Sequence, residues 1–275
     1  MPLSALGLAF AAALLHSAWN TVAAGAEESQ PTLAVSLACG AVLLVPVVIL
    51  TRPDADAEVL PFVAASVVFR LGYFGLLASA YQRGPMSLVY PISRGVGPVL
   101  VLAVSIGVLG ASLSLVQAAG VLLVAFGVMG VRGFSGGARM ADLGRALIIG
   151  GCIAGYTLVD NEGLEHADPL IYLALVTGLT ALAYLAFLAW TGGTTPLRAE
   201  LRPRAALVGL AMVSAYGCVL AALQLAPAAP VAAVRETSVV IATGMAAVFL
   251  HEKIGPLRAL GAVVVAAGVI VLALA

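Results

Sequence analysis

The sequence predicts an all-α membrane protein with ten transmembrane helices, arranged as two inverted five-helix repeats around a central cavity. Three observations predict this fold class: the composition, the length of the apolar runs and an internal repeat. Of the 275 residues, 62% are hydrophobic and 9% are charged, whereas soluble domains carry about 25% charged residues. The lipid bilayer is therefore the first expected partner of this chain.

The apolar runs are each about 20 residues long, which is enough for a helix to cross a hydrocarbon core of about 30 Å. Short polar or Gly/Pro-containing breaks separate them, and no connection is long enough to hold a folded domain. Function is therefore expected within the membrane. The ten predicted spans are 3–24, 31–50, 60–82, 85–109, 114–131, 143–163, 169–190, 203–224, 228–250 and 255–274.

The distribution of Lys and Arg predicts the orientation of these spans. The connections after spans 1, 3, 5, 7 and 9 hold nine of the 13 basic residues, and the connections on the opposite side hold only Arg52. Because cytoplasmic loops are enriched in Lys and Arg, both termini are expected outside the cytoplasm. The first run has no basic region before it, so we interpret it as a span rather than a cleaved signal peptide. We expect a multi-pass protein of the cell inner membrane.

An internal repeat divides the chain into two halves. The segment Ala-Tyr-Gln-Arg-Gly-Pro at 80–85 recurs 142 residues later as Ala-Leu-Gln-Leu-Ala-Pro at 222–227, and at the same offset Arg94 falls on Glu236. At an offset of 141, Gly120 falls on Gly261. The predicted repeats are 1–133 and 143–275, with five spans each. An odd number of crossings forces the second copy to be inverted in the membrane, as in many secondary transporters.

The fourth span contains the most unusual stretch, Tyr-Pro-Ile-Ser-Arg-Gly-Val-Gly-Pro at 90–98. Pro91 and Pro98 each lack a backbone donor, so we expect a broken helix here. Gly95 and Gly97 should let neighbouring helices approach closely. An arginine facing lipid would cost several kcal/mol, so Arg94 is expected to face protein or water. The stretch is therefore predicted to form a wall of the cavity.

Five ionisable residues lie well inside the predicted spans: Arg70, Arg94, Arg235, Asp160 and Glu236. Residues of this kind usually mark substrate pathways or ion pairs. The guanidinium of Arg94 provides a planar fork of donors suited to a carboxylate, so Arg94 is predicted to be the main contact to an anionic group of the cargo. In the alternative, an arginine only neutralises Glu236 and locks helices together. Of the carboxylates, Asp160 is predicted to carry a proton, because Glu236 is expected to stay ionised beside Arg94.

Aromatic and polar side chains accompany these charges at helical spacing. Residues three or four positions apart share one helix face, which pairs the charged residues and His16 with neighbouring side chains. The predicted substrate-binding residues are Arg94, Arg70, Tyr90, Tyr73, Trp19, Asn20, Tyr156 and Glu236, and the predicted proton-coupling residues are Asp160 and His16. For His16, a packed histidine without a proton-carrying role is the alternative.

Several classes of function are not indicated. The 13 acidic and 13 basic residues balance, so no basic surface suggests nucleic acid. The three cysteines, Cys39, Cys152 and Cys218, lack metal-ligand spacing, and no phosphate-binding loop is present, so we expect neither a metal nor a cofactor. Pairs of small residues four positions apart occur in the spans, and this pattern fits a monomer or a homodimer equally well.

Three motifs carry a resemblance to a known family: Leu-His-Ser-Ala-Trp-Asn at 15–20, Tyr-Pro-Ile-Ser-Arg-Gly at 90–95, and the Leu-His-Glu-Lys…Leu-Gly turn at 250–261. With the duplicated five-helix unit, the chain resembles the EamA family of the drug/metabolite transporter superfamily. The resemblance implies a ten-helix basket whose helices 1, 3, 4, 6, 8 and 9 line the cavity. It also implies an exporter or exchanger of small metabolites, often amino acids. The Glu that ends each repeat in the family matches Glu252, whereas Ala111 stands at the corresponding position of the first half.

The repeat and the charges inside the spans together predict a secondary transporter of a small polar metabolite that works by alternating access. An amino acid or another carboxylate is the expected cargo. The alternative function is a membrane-embedded enzyme in which His16, Asp160 and the arginines act on a lipid or phosphate substrate. The sequence contains no hydrolase or metalloprotease motif that would favour the enzyme.

Overall fold

The described part of the chain is helical, with only one isolated two-residue β-bridge. The computed structural model describes residues 1–24, 29–83, 86–132, 140–249 and 255–275, and within these ranges it leaves out the side chains of 23–24, 29, 77–83, 86–91, 132, 140–142 and 246–249. The described helices are α1 (Leu3–Ala24), α2 (Ser29–Thr51), α3 (Val59–Arg83), α4 (Met86–Gly107), α5 (Leu115–Arg132), α6 (Met140–Gly163), α7 (Pro169–Gly192), α8 (Thr195–Ala199), α9 (Pro203–Leu223), α10 (Ala228–Arg235), α11 (Thr237–Phe249) and α12 (Pro256–Leu274).

Seven of the described helices are long and apolar enough to cross a membrane, namely α1, α2, α3, α6, α7, α9 and α12. Helices α4 and α5 add shorter apolar segments, Ile92–Gly107 and Leu115–Val131. Large apolar side chains such as Leu50, Leu115 and Trp190 are exposed on the outside of the bundle, as expected for a surface in contact with lipid. The chain is therefore a multi-pass membrane protein.

The predicted break in the fourth span is wrong, and the break lies instead in the ninth. Helix α4 continues through Pro91 and Pro98, whereas the ninth predicted span is divided into α10 and α11 at Glu236. At this break Thr237 donates its hydroxyl to the carbonyl of Val234 at 2.7 Å, and Ser17 of α1 donates to the carbonyl of Ser238 at 2.9 Å.

The residues at the two equivalent positions differ. Thr237 begins α11 and bonds to the backbone of the preceding turn. At the same 142-residue offset the first half has Gly95, which has no hydroxyl to make such a bond. Each proline of α4 removes one backbone donor, and the remaining helical bonds and the packing of neighbouring helices keep α4 continuous.

Helices α5 and α12, the last of each half, pack tightly and run in opposite directions. A Cβ atom on Gly120 would lie 3.3 Å from the carbonyl oxygen of Gly268, and a Cβ atom on Gly127 would lie 2.9 Å from that of Gly261. Residue numbers increase along α5 as they decrease along α12, which makes the two helices antiparallel. Glycine at these positions permits the backbones to approach closely.

The other contacts between helices also come in matching pairs, in which each helix is replaced by its counterpart from the other half. Helix α1 packs on α9 as α3 packs on α6, and α4 packs on α6 as α10 and α11 pack on α1. Helix α2 packs on α7, its counterpart in the other half. The predicted close approaches at α4 are confirmed, because Gly95 lies against Met129 of α5 and Gly97 lies against Ile153 of α6.

Connections from the two halves meet at each end of the bundle. At one end the segment after α2 pairs with the segment after α6 through the Ala55–Ala167 bridge, and Asp54 donates its amide to the Asp168 carboxylate at 2.9 Å. At the other end Arg204, at the start of α9, donates to the carbonyl of Val22 in α1. The central cavity lies between these ends.

Candidate substrate cavity

A central cavity of about 110 Å³ lies among helices of both halves. Its walls come from the six helices implied by the family resemblance, which are α1, α3, α4, α6, α9 and α10, and also from α2 and α7. Helix α7 contributes two threonines, Thr177 and Thr180, which are not among the site residues predicted from the sequence. The polar and aromatic lining residues are His16, Trp19, Arg70, Tyr73, Phe74, Arg94, Tyr156, Thr177, Thr180, Tyr216 and Arg235.

Arg70 and Asp160 form an ion pair at one side of the cavity, with a distance of 2.7 Å between Nη2 and Oδ2. Asp160 is almost fully buried and also accepts hydrogen bonds from Ser66 at 2.6 Å, Tyr172 at 3.1 Å and Tyr216 at 3.0 Å. Four donors therefore converge on this carboxylate, and the bond from Arg70 is charge-assisted.

Arg70 is also held between two aromatic rings. Its guanidinium carbon lies 3.9 Å from the ring centroid of Tyr216 and 4.6 Å from that of Tyr156. Such cation–π contacts contribute about 2 kcal/mol when the groups are desolvated. The Arg70 side chain is 18% exposed, so its guanidinium remains accessible from the cavity.

Arg94 and Glu236 form the second ion pair, with a distance of 3.3 Å between Nη1 and Oε1. These two residues occupy corresponding positions in the repeat, and both are almost fully buried. Nη2 of Arg94 also contacts Nε2 of His16. An arginine can only donate, so this nitrogen of His16 accepts and carries no proton. The other Glu236 oxygen, Oε2, has no hydrogen-bond partner among the described residues.

Arg235 is the third arginine that lines the cavity. Its Nη2 donates to the hydroxyl of Tyr156 at 3.4 Å, and its guanidinium carbon lies 5.9 Å from the centroid of the same ring. The sequence places Arg235 inside a predicted span, but Arg235 is not among the predicted site residues. Arg235 directly precedes Glu236, and Glu236 is the counterpart of Arg94 in the repeat. This adjacency is the sequence signal that could have identified Arg235 as a site residue.

Only some of the remaining predicted site residues line the cavity. Trp19 and Tyr73 line the cavity, and the Trp19 ring packs edge-on against His16 with centroids 4.9 Å apart. Asn20 is absent from the lining, and its side-chain amide donates to the backbone carbonyl of His16 at 2.8 Å. The side chain of Tyr90 lies outside the described residues.

The site has no evident metal centre within the described ranges, where no group of three or more His, Cys, Asp or Glu side chains could hold an ion. Both buried carboxylates contact arginines instead. The arrangement is suited to bind a small charged or polar molecule by hydrogen bonds and ion pairing, with aromatic walls around it. Glu252 lies outside the described residues.

Comparisons with known proteins agree with this architecture. The family model described as the EamA-like transporter family matches residues 3–133 and 143–274. A solved crystal structure of a protein is similar over 98% of this chain and 98% of its own, with a TM-score of 0.78 and 17% sequence identity, which supports the fold alone. No curated protein matches the chain.

An all-helical membrane protein whose two halves surround a polar cavity has the form of a membrane transporter. The chain belongs to the EamA-like transporter family, because the family model covers nearly its whole length in two copies. The predicted family membership is therefore confirmed, and the family is part of the drug/metabolite transporter superfamily.

Proposed function

We propose that this protein is a secondary transporter that moves a small polar metabolite across the cell inner membrane by alternating access, as an exporter or exchanger. The observation that carries the proposal is the central cavity, which is lined by three arginines although the helices around it are mainly apolar. Charged residues inside transmembrane segments are energetically costly and usually mark the pathway of a substrate or ion. Walls from both halves allow the cavity to open to either side when the halves rock against each other.

The proposed architecture has ten transmembrane helices in two inverted five-helix repeats, 1–133 and 143–275. The antiparallel packing of α5 and α12 and the exchange of contacts between the halves support it. Helices α10 and α11 together form the ninth crossing in this proposal. Both termini lie outside the cytoplasm, as the excess of Lys and Arg in alternate connections indicates.

The cargo is proposed to bind among Arg70, Tyr73, Tyr156 and Trp19, all of which line the cavity. The contact between Arg94 and the cargo stays a prediction, because Arg94 already contacts Glu236 and His16. The same holds for the predicted contributions of Tyr90, Asn20 and Glu236. A monomer or homodimer is the proposed assembly.

We propose Glu236 as the proton-coupling residue, in place of Asp160, which was predicted from the sequence. Asp160 accepts from four donors, whereas Glu236 has one contact of 3.3 Å and one oxygen without a described partner. Arg94 on α4 and Arg235 on its own helix are the charged groups that act on Glu236, and His16 on α1 contacts Arg94. A carboxylate with few donors takes up a proton at a smaller free-energy cost. Asp160 and His16 stay predicted alternatives.

An enzyme acting on a lipid or phosphate substrate is not favoured, because members of the matched family are transporters. The experiment that tests the proposal is uptake by purified protein in liposomes. Amino acids, organic acids and phosphorylated metabolites are screened with and without a pH gradient. Accumulation or exchange of at least one solute by the protein, and not by empty liposomes, is the expected result. If no solute moves in any condition, the transporter proposal fails.

A further inference from the structure

The charges around the cavity do not cancel within the described residues. Asp160 compensates Arg70, and Glu236 compensates Arg94. The His16 nitrogen that contacts Arg94 accepts a hydrogen bond, so His16 adds no charge in this arrangement. Arg235 forms no ion pair with a carboxylate of the described chain. One positive charge therefore remains at the cavity.

An uncompensated guanidinium inside a membrane protein is unfavourable unless water or an opposite charge reaches it. Arg235 is partly exposed and lines the cavity, so a molecule in the cavity can reach it. Its only described hydrogen bond is the 3.4 Å contact with Tyr156, which is long for an N–H to O bond. An anion in the cavity would make shorter, charge-assisted bonds with this fork.

We propose that Arg235 is the primary anion-binding residue of the cavity, and that the cargo is a monoanionic carboxylate rather than a zwitterionic amino acid. The inference rests on the proposed transport function and specifies its substrate class. A carboxylate at Arg235 supplies the single negative charge that the cavity lacks. With Glu236 ionised, the cavity with its cargo is then neutral, which favours movement of the loaded site through a low-dielectric bundle.

The carboxylates explain why an amino acid fits less well. The ammonium group of a zwitterion needs an acceptor with negative charge, and both buried carboxylates of the described cavity region already contact arginines. Recruiting either one would leave an arginine as a buried unpaired charge, which is strongly unfavourable. A cavity with this arrangement therefore discriminates against cations and zwitterions by leaving their positive charge unpaired.

The rest of the lining indicates the body of the cargo. Tyr156 lies between the two accessible arginines, with its ring against Arg70 and its hydroxyl towards Arg235. Trp19 and Phe74 contribute apolar surface to the same cavity. The hydroxyl of Thr180 is buried and has no hydrogen-bond partner among the described residues, so it offers the cargo a further polar contact. A carboxylate on a small apolar body matches these walls.

Trp19 provides a direct measurement of cavity occupancy. The chain has two tryptophans, and Trp190 is 85% exposed on the outside of the bundle. In a Trp190→Phe background, the fluorescence of purified protein reports on Trp19 at the cavity wall. The probes are two matched series that differ in charge: propionate, alanine and ethylamine, and 3-phenylpropionate, phenylalanine and phenethylamine.

We expect the anion of at least one series to change Trp19 fluorescence with an affinity at least tenfold higher than that of the matched zwitterion or amine. Arg235→Gln should weaken binding of that anion at least tenfold while the protein remains folded, as measured by its thermal unfolding. Arg235→Lys should weaken it less, because the charge is kept. The control Arg198→Gln removes an exposed arginine outside the cavity and should leave the affinity unchanged.

Three results would overturn the inference: equal or tighter binding of the zwitterion, unchanged anion affinity in Arg235→Gln, or no response to either anion. If Arg235→Gln fails to fold, the comparison of anion and zwitterion in the parent protein decides. Uptake in liposomes separates the two proposals. Transport of a zwitterion that is insensitive to Arg235→Gln would refute the anion site and leave the transporter intact. Failure of all solutes to move refutes the transport function itself.

Discussion

The two buried carboxylates at the cavity have opposite environments. Asp160 accepts hydrogen bonds from Arg70, Ser66, Tyr172 and Tyr216, so protein donors surround its two oxygens. Glu236 contacts Arg94 through one oxygen only. Such a difference in hydrogen bonding agrees with the proposal that Glu236, rather than Asp160, is the proton-coupling residue.

Glu236→Gln is predicted to abolish the response of uptake to a pH gradient while exchange of cargo at equal pH persists. The amide keeps the size of the side chain but cannot bind a proton. Asp160→Asn, the matched change, should lower the thermal stability because four donors lose their anionic acceptor. Proteoliposome uptake at several external pH values measures the pH response of each variant, and thermal unfolding in detergent measures the stability. If Asp160→Asn alone removes the pH response, the assignment made from the sequence is correct instead.

Arg94→Ala is predicted to lower the free energy of unfolding by about 3 to 5 kcal/mol, because Glu236 is left as a buried unpaired charge. The double variant Arg94→Ala/Glu236→Ala should recover much of this stability. Thermal unfolding in detergent measures the change. A double variant as unstable as the single one would contradict the pairing. Recovered exchange of cargo at equal pH in the double variant would assign Arg94 to the ion pair, whereas stable protein without this exchange would support a cargo contact.

At the scale of helices, the contact between α5 and α12 depends on the absence of side chains. A Cβ atom on Gly127 would lie 2.7 Å from the backbone nitrogen of Val265, and one on Gly268 would lie 2.9 Å from that of Val124. Neither backbone can move without separating the helices. A glycine of α5 meets a valine of α12, and a glycine of α12 meets a valine of α5, so the two halves contribute to the interface in nearly the same way.

Gly127→Ala is therefore predicted to destabilise the protein by about 1 to 3 kcal/mol through overpacking. The control is Gly178→Ala in α7, where a Cβ atom would meet nothing within 4 Å. Alanine is a better helix former than glycine, so this change should be neutral or stabilising. Thermal unfolding of the two variants gives the comparison. Equal stability of both would contradict the close approach of α5 and α12.

At the scale of the whole molecule, the two ends of the bundle differ in charge. Arg198, Arg202 and Arg204 follow α7, whereas the segment after α2 carries Asp54 and Asp56. The pairing of the segments after α2 and α6 joins the halves at the acidic end. The positive-inside rule assigns the basic end to the cytoplasm.

Single cysteines at Ala55 and Thr194, in a background lacking Cys39, Cys152 and Cys218, test this orientation. Both positions are exposed, and they lie in connections predicted to be on opposite sides. A membrane-impermeant maleimide added to intact cells should label Ala55→Cys and spare Thr194→Cys until the membrane is permeabilised. Labelling of Thr194→Cys from outside would reverse the assignment.

The sequence by itself determined the class of protein, the family and the chemistry available at the cavity. Apolar runs of membrane length need no tertiary information, since a helix is the structure that satisfies its own backbone in lipid. The repeat made Arg94 and Glu236 equivalent, and the structure brings them into contact. Trp19, Tyr73, Tyr156, Arg70 and Arg94, which the sequence predicts to bind substrate, all line the cavity, and their contact with cargo stays a prediction.

Only the tertiary structure decided how the charges are partnered and where a helix breaks. The pairing of Arg70 with Asp160 joins helices 90 residues apart, and the three hydroxyls around that carboxylate come from three different helices. Helical periodicity orders residues along one helix but does not specify which faces meet. The break at Glu236 likewise involves another helix, because a hydroxyl from α1 bonds to the carbonyl of Ser238 just after it. The surplus charge proposed for Arg235 follows from these pairings, because each buried carboxylate that the structure describes at the cavity already contacts another arginine.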